Sequence, residues 1–382
     1  MRKSLRIALI LETSGGGSGR HLIDLARGLV ERGHDVTVIW APGRAQSDFV
    51  QALGAIENLT TVPVDMARAV GPGDVKSFLA LKDALQRLKP FDVLHGHSSK
   101  AGALIRLLPR SVPGARVYTP HAFRTMDPSL GQPQRLIYGT IERVLAARAK
   151  RIIAVSQKEV DHARELGITS DRVSLVTNGI DLPADATREN ARAAIGLEPD
   201  DVVVGFVGRL EPQKDPLRFL RAVTLASEGV PNLKAIVIGD GPLRDEAEAL
   251  AAKSWVQFMG WQDGPRLMPA LDVFAMTSRY EAMPYTLLEA IHAGVPIVMT
   301  DVGGAEETVV DGETGHILPL DSGDEELAEA LIALVKNKPR RESFGAASMK
   351  LARSRTIEAM VDDTLAVYRK AVAPGLVQSL AT

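Results

Sequence analysis

Residues 202–215 read Val202-Val-Val-Gly-Phe-Val207-Gly208-Arg209-Leu210-Glu211-Pro212-Gln213-Lys214-Asp215. An apolar run gives way at once to a polar segment carrying two cations. A strand apolar on both faces belongs inside a parallel sheet covered by helices, not in a half-solvated antiparallel one. In such sheets ligands gather outside the carboxyl ends of the strands, which is where Arg209 and Lys214 fall. A guanidinium forks onto phosphate oxygens and an ammonium adds a point charge, so the pair suits a diphosphate. The competing reading is two solvated loop cations.

The same grammar extends in both directions. Strands are expected at Arg6–Leu11, Asp35–Trp40, Asp92–His95, Arg116–Thr119, Arg151–Val155 and Val173–Val176. Helical periods lie between them, notably at Arg20–Arg32, Val75–Leu88, Pro133–Ala149 and Lys158–Leu166. A second series follows Val202–Val207, at Leu233–Ile238, Val256–Phe258, Val273–Met276, Pro296–Met299 and Gly315–Leu318. The alternation predicts an α/β protein of two doubly wound, Rossmann-like domains, with a cleft between them as the natural active site. The polar segment Asn178–Asp185 reads as the linker. The expected limits are 1–184, 185–355, and a final helix and tail over 356–382.

Composition excludes several classes. The 382 residues hold 45 Lys+Arg against 47 Asp+Glu, so there is no electrostatic case for nucleic acid. The absence of cysteine rules out a disulfide scaffold, a thiolate nucleophile and a thiolate metal site. The apolar run Ile7–Leu11 is too short for a signal sequence, and no run approaches the roughly 18 residues of a membrane span. A soluble cytoplasmic protein is expected.

The stretch Arg279–Pro296 carries the strongest chemical signal. Glu281 sits in a loop, Pro284 opens a short helix, Glu289 lies on it, and Gly294 ends it. The backbone N–H groups and positive dipole end at the start of this helix point beyond Pro284 and favour an anion, flanked by two carboxylates suited to hydroxyls. A nucleotide sugar offers that combination.

Near the N-terminus, Ser14-Gly15-Gly16-Gly17-Ser18-Gly19-Arg20-His21 precedes a helix. Backbone there approaches a phosphate closely, although a dense glycine run also makes a plain flexible turn. The spacing fails the dinucleotide fingerprint, and the second strand ends without an acidic residue for a ribose. Three histidines, His95, His97 and His121, fall at adjacent strand ends, a donor set that suits zinc. Only Asp92 is close in sequence as a supporting carboxylate. The reading adopted is therefore no metal and no cofactor, with His121 facing substrate and the other two packing or lining the cleft.

With these pieces assembled, the chain resembles retaining glycosyltransferases of family four with the GT-B fold. The resemblance runs over essentially the whole length. It rests on Gly16-Gly17 with His21, Thr119-Pro120-His121, Asn178-Gly179-Ile180-Asp181, Gly208-Arg209-Leu210 with Lys214, Gly239-Asp240-Gly241-Pro242, and Glu281 with Glu289. It implies that Arg209 and Lys214 bind the donor diphosphate, with Gly16, Gly17, Gly208 and the backbone of Pro284, Tyr285 and Thr286 assisting. It implies that Glu289 holds the ribose, Glu281 the transferred sugar, and His121 the sugar near its anomeric centre. The base would lie near Gly239–Pro242, with Gly241, and Met259. Ala282-Met283 stands where many relatives have Gly-Phe, which bears on sugar selection. In relatives the last helix crosses back to the first domain, and closure about the linker accompanies donor binding.

The resemblance implies a nucleotide-sugar donor, UDP over GDP, and a glycan or polyprenyl- or lipid-linked acceptor, in cell-surface polysaccharide synthesis. An epimerase on the same fold, or a non-catalytic nucleotide-sugar-binding subunit, is the alternative. The segment Gln134–Arg151 carries Arg135, Arg143, Arg148, Lys150 and Arg151 with a helical apolar period. It reads either as a peripheral contact with the anionic inner face of a membrane or as a helix packed inward by Leu136, Ile137, Ile141, Val144 and Leu145.

Overall fold

A computed structural model describes residues 4–66, 71–88 and 90–373. Two parallel sheets account for all the strands among them. The first contains β1 (Arg6–Leu11), β2 (Asp35–Trp40), β3 (Thr60–Pro63), β4 (Val93–His97), β5 (Ala115–Thr119), β6 (Arg151–Ala154) and β7 (Val173–Leu175), in the order β3-β2-β1-β4-β5-β6-β7. The second contains β8 (Val202–Val207), β9 (Leu233–Ile238), β10 (Val256–Gly260), β11 (Val273–Met276), β12 (Ile297–Thr300) and β13 (Gly315–Leu318), in the order β10-β9-β8-β11-β12-β13. In each the chain runs outward from a central strand in both directions, β1 in one and β8 in the other. The switch points lie between β1 and β4 and between β8 and β11.

The strand β3 was absent from the sequence reading. Its residues are exposed or half-buried and it ends in Pro63 at the sheet edge, so it lacks an apolar signature. Helices cover both faces. Gly17–Glu31 starts three residues earlier than its apolar period suggests, because Gly16 adopts φ 72° and lets the chain turn into the helix at once.

The chain divides into two compact units. One holds the residues up to Asn178 together with the helix Ile357–Val372, and the other spans Gly179–Thr356. Residues 179–184 belong with the second unit, where Ile180 is fully buried and donates to the carbonyl of Arg355 at 2.9 Å. The tail 374–382 lies outside the described residues. The final helix packs against Gly17–Glu31, where a Cβ on Gly28 would come within 2.6 Å of Val361. Met360, Val361, Leu365 and Tyr368 join the same core as Ile7, Leu9 and Leu11 of β1. A second core of β8, β9 and their helices stabilises the other unit. At roughly 25 cal/mol per Å² of apolar area removed from water, these cores supply the main favourable term.

Candidate functional site

In the second unit the sequence candidates converge at the carboxyl ends of β8, β9 and β11. Lys214 Nζ lies 2.6 Å from Glu281 Oε1, and both side chains are largely buried. The stem of Lys214 runs over Gly208, whose absent Cβ would lie 3.6 Å from it. Arg209 is more open and reaches Glu211 at 2.7 Å. Glycines let the loops at these strand ends pack backbone against backbone. A Cβ on Gly239 would sit 1.9 Å from the Gly208 carbonyl oxygen, and one on Gly241 2.5 Å from that of Leu210. Met259 is the penultimate residue of β10, beside Gly260, whose carbonyl accepts from the Gly239 N–H at 2.8 Å.

The helix Tyr285–His292 starts immediately after Pro284, four residues beyond Glu281. Pro284, at the N-cap position, supplies no side-chain cap, and the Thr286 hydroxyl is buried without a hydrogen-bond partner. An uncapped helix end with an unmet hydroxyl is suited to anion oxygens. Glu289 is buried on the same helix, and a Cβ on Gly264 would lie 3.4 Å from its carboxylate.

Several supports escaped the sequence reading. Asp215, at φ 50°, caps the helix Pro216–Ser227 through the Arg218 N–H. It also holds Arg279 at 3.0 Å. Thr277 donates to the carbonyls of Lys214 and Asp215 at 3.0 and 2.8 Å. Gly303 allows the backbone of Glu281 and Ala282 to approach, since a Cβ there would come within 2.4 Å of the Glu281 oxygen. Such contacts join residues far apart in sequence and leave no local pattern.

In the first unit the histidines gather. His97 Nδ1 lies 3.2 Å from His121 Nε2, and the His21 and His121 rings meet edge to face at 4.7 Å. His21 Nδ1 pairs with Asn178 Oδ1 at 3.0 Å. His95 is held by Tyr368 at 2.6 Å and Thr119 at 2.8 Å, so the final helix completes the cluster. His121 and Ala122 both have positive φ, 53° and 79°, a conformation that costs non-glycine residues about 1 kcal/mol or more each. Glu159 holds this turn by accepting from the Ala122 N–H at 2.6 Å. Gly16 and Gly17 lie exposed at the start of the helix Gly17–Glu31. Among the described residues, His21, His97 and His121 are the group able to hold a metal ion, with ligand atoms within 4.8 Å of one another.

Burial pushes these imidazoles towards the neutral form. The pKa of His21 falls to about 4, and those of His95, His97 and His121 fall well below the ordinary value, through desolvation reinforced by the neighbouring rings where those contribute. The unfolded chain takes up protons near pH 6.5 that the folded unit refuses until lower pH. Stability is therefore complete above the ordinary histidine range and falls on acidification from about pH 6.5 towards 4, by up to about 1.4 kcal/mol per pH unit for each imidazole kept neutral. Urea unfolding should show a lower midpoint at about pH 5.5 than at about pH 7.5. His21→Gln should flatten that slope, and an unchanged midpoint in the native chain would contradict the electrostatic account.

Comparison with known proteins agrees with the architecture. Residues 15–184 match the family model Glycosyltransferase Family 4, and residues 187–351 match Glycosyl transferases group 1. The Escherichia coli UDP-Gal:alpha-D-GlcNAc-diphosphoundecaprenol alpha-1,3-galactosyltransferase is 30% identical over 280 residues, covering 69% of this chain and 71% of that one. The phosphatidyl-myo-inositol mannosyltransferase of Mycobacterium tuberculosis is 29% identical over 395 residues, covering 97% and 98%. The crystal structure of Anabaena HepE in complex with UDP and glucose superposes with a TM-score of 0.77 at 22% identity, covering 94% of this chain and 99% of that one. The chain belongs to glycosyltransferase family 4 and has the GT-B fold of two parallel α/β domains.

Proposed function

We propose that this glycosyltransferase moves a sugar from a nucleoside diphosphate sugar, UDP in preference to GDP, to a hydroxyl of a glycan or polyprenyl- or lipid-linked acceptor. The transfer retains the anomeric configuration and uses no metal ion. One observation carries the reading: the buried Lys214–Glu281 pair at 2.6 Å stands just ahead of an uncapped helix end that also bears Glu289. Phosphate oxygens suit Lys214, Arg209, Gly208 and the N–H groups of Tyr285 and Thr286. Gly16 and Gly17, at another helix start, have the same chemistry. Glu281 takes the hydroxyls of the transferred sugar and Glu289 those of the ribose, while His121 is assigned to the sugar near its anomeric centre. Gly241 and Met259 border the base.

No side chain in this set is placed as an enzymic nucleophile. The acceptor oxygen attacks C1 on the face that the diphosphate leaves. The C1–O bond breaks with its electron pair passing to the diphosphate, and the acceptor proton goes to a leaving phosphate oxygen. Lys214 and Arg209 stabilise the developing charge, so preorganised electrostatics carry most of the catalysis. The preference for UDP and for a diphospholipid acceptor is supported by the activity for which the Escherichia coli relative is named. Work at the inner face of the cytoplasmic membrane, in cell-surface polysaccharide synthesis, fits such an acceptor.

Incubation with UDP- and GDP-sugars, with and without acceptors, tests the reading. Nucleoside diphosphate released only with acceptor, and surviving a chelator, is the expected result. An isomerised donor without release would indicate an epimerase, and binding without turnover a non-catalytic subunit. In a thermal-shift screen UDP should raise the Tm more than GDP, since a ligand bound only by the folded state stabilises it by mass action.

A further inference from the structure

The helix Gln132–Ala146 turns its apolar side outward. Leu136 is 73% exposed, Ile137 57%, Ile141 45% and Val144 62%. At 3.6 residues per turn these four and Thr140 share a stripe of roughly 140°. The buried residues of the helix are Glu142, Leu145 and Ala146, on the opposite side. The inward-packing alternative drawn from the sequence is therefore corrected: of its five residues only Leu145 is buried. The helix also stops at Ala146, before the basic residues Arg148, Lys150 and Arg151.

Charge on this segment is one-signed at the surface. Residues 132–151 carry five cations, Arg135, Arg143, Arg148, Lys150 and Arg151, and a single acid, Glu142. That acid is buried and bonded at 2.8 Å to Arg106, itself fully buried, so its charge is neutralised inside the unit. Arg148 donates to the Leu108 carbonyl at 3.4 Å, which ties this end to the turn carrying exposed Leu107 and Arg110. Glu165 on the neighbouring helix lines a groove with Arg135 and Arg143 and is the one acid in that lining.

We infer that this face docks on an anionic lipid bilayer, with Leu136, Ile137, Ile141 and Val144 entering the headgroup boundary and the cations meeting lipid phosphates. Scattered exposed apolar residues need no explanation, but a contiguous stripe on one helix does. A bilayer fits because apolar stripe and cationic flank occur together: apolar area supplies insertion and the basic residues supply attraction to anionic headgroups. A second copy would bring the same cations against themselves. No described helix is long and apolar enough to cross a membrane, so the contact is interfacial. The inference stands apart from the donor chemistry, because vesicle binding requires no turnover.

The full chain is centrifuged with phosphatidylcholine vesicles and with vesicles containing phosphatidylglycerol. It should sediment with the anionic vesicles, weakly with the neutral ones, and be released at about 0.5 M salt, where the screening length is only a few Å. Ile137→Glu with Val144→Glu should lower binding at least tenfold without moving the Tm, since both positions are exposed. Arg143→Glu with Arg148→Glu should remove the preference for anionic lipid. Wild-type chain left in the supernatant, or undiminished binding by the Ile137/Val144 double variant, would overturn the inference. So would light scattering that shows a dimer, lost in that variant, with no binding to vesicles.

Discussion

Lys214→Ala is expected to lower kcat/KM by on the order of 2–4 kcal/mol in transition-state stabilisation, roughly 30- to 1,000-fold. The ammonium is the most enclosed cation of the candidate site, at 15% side-chain exposure against 57% for Arg209. A charge held in a partly dry site and aimed before the reaction acts more strongly than a solvated one. The same substitution has a second consequence, because Glu281 is 7% exposed and loses its partner. An enclosed carboxylate left unpaired costs about 1–3 kcal/mol of stability. Lys214→Ala with Glu281→Ala should therefore recover most of the denaturant midpoint and none of the turnover. Wild-type turnover in Lys214→Ala would remove its assigned role, and a double variant less stable than the single would remove the pairing argument.

Glu142→Ala should be the most damaging substitution for stability in the first unit. It strands Arg106, whose side chain is 0% exposed, whose Nε donates to the Gly102 carbonyl at 2.8 Å, and whose guanidinium carbon lies 4.0 Å from the centre of the Tyr118 ring. Removing one partner of a buried ion pair costs about 3–5 kcal/mol, because the remaining charge has been taken out of water without compensation. Replacing both residues by methionine should restore much of the loss, since two apolar groups owe no desolvation penalty. Urea midpoints of the single and double variants decide the matter. Equal losses in both would indicate that packing, not charge, holds the site together.

Much of the fold was legible because parallel strands buried on both faces announce themselves as short apolar runs, as β1, β8 and β9 do. The exception, β3, is an exposed edge with no such run. The candidate site was legible where side-chain chemistry coincided with a strand end, as at Arg209, Lys214 and Glu281. Residues acting through distant backbone were not. Glu159 serves Ala122 from 37 positions away, and Tyr368 reaches His95 across 273. Neither has a local signature, since nothing in a linear pattern records which backbone N–H a carboxylate will meet.

The helix Gln132–Ala146 marks the division most plainly. Its period determined that an apolar side and a set of cations would exist, because 3.6 residues per turn is a property of the backbone. Which side faced the core is not written in that period. Pairing of Glu142 with Arg106 inside the unit is a tertiary contact, and the helix that makes it carries Leu136, Ile137, Ile141 and Val144 on its outward side. From the chain alone came the two parallel α/β domains and the cationic side chains and glycines at their strand ends. The fold decided the Lys214–Glu281 contact, the closed histidine cluster and the outward apolar stripe, because each depends on distances between residues remote in sequence.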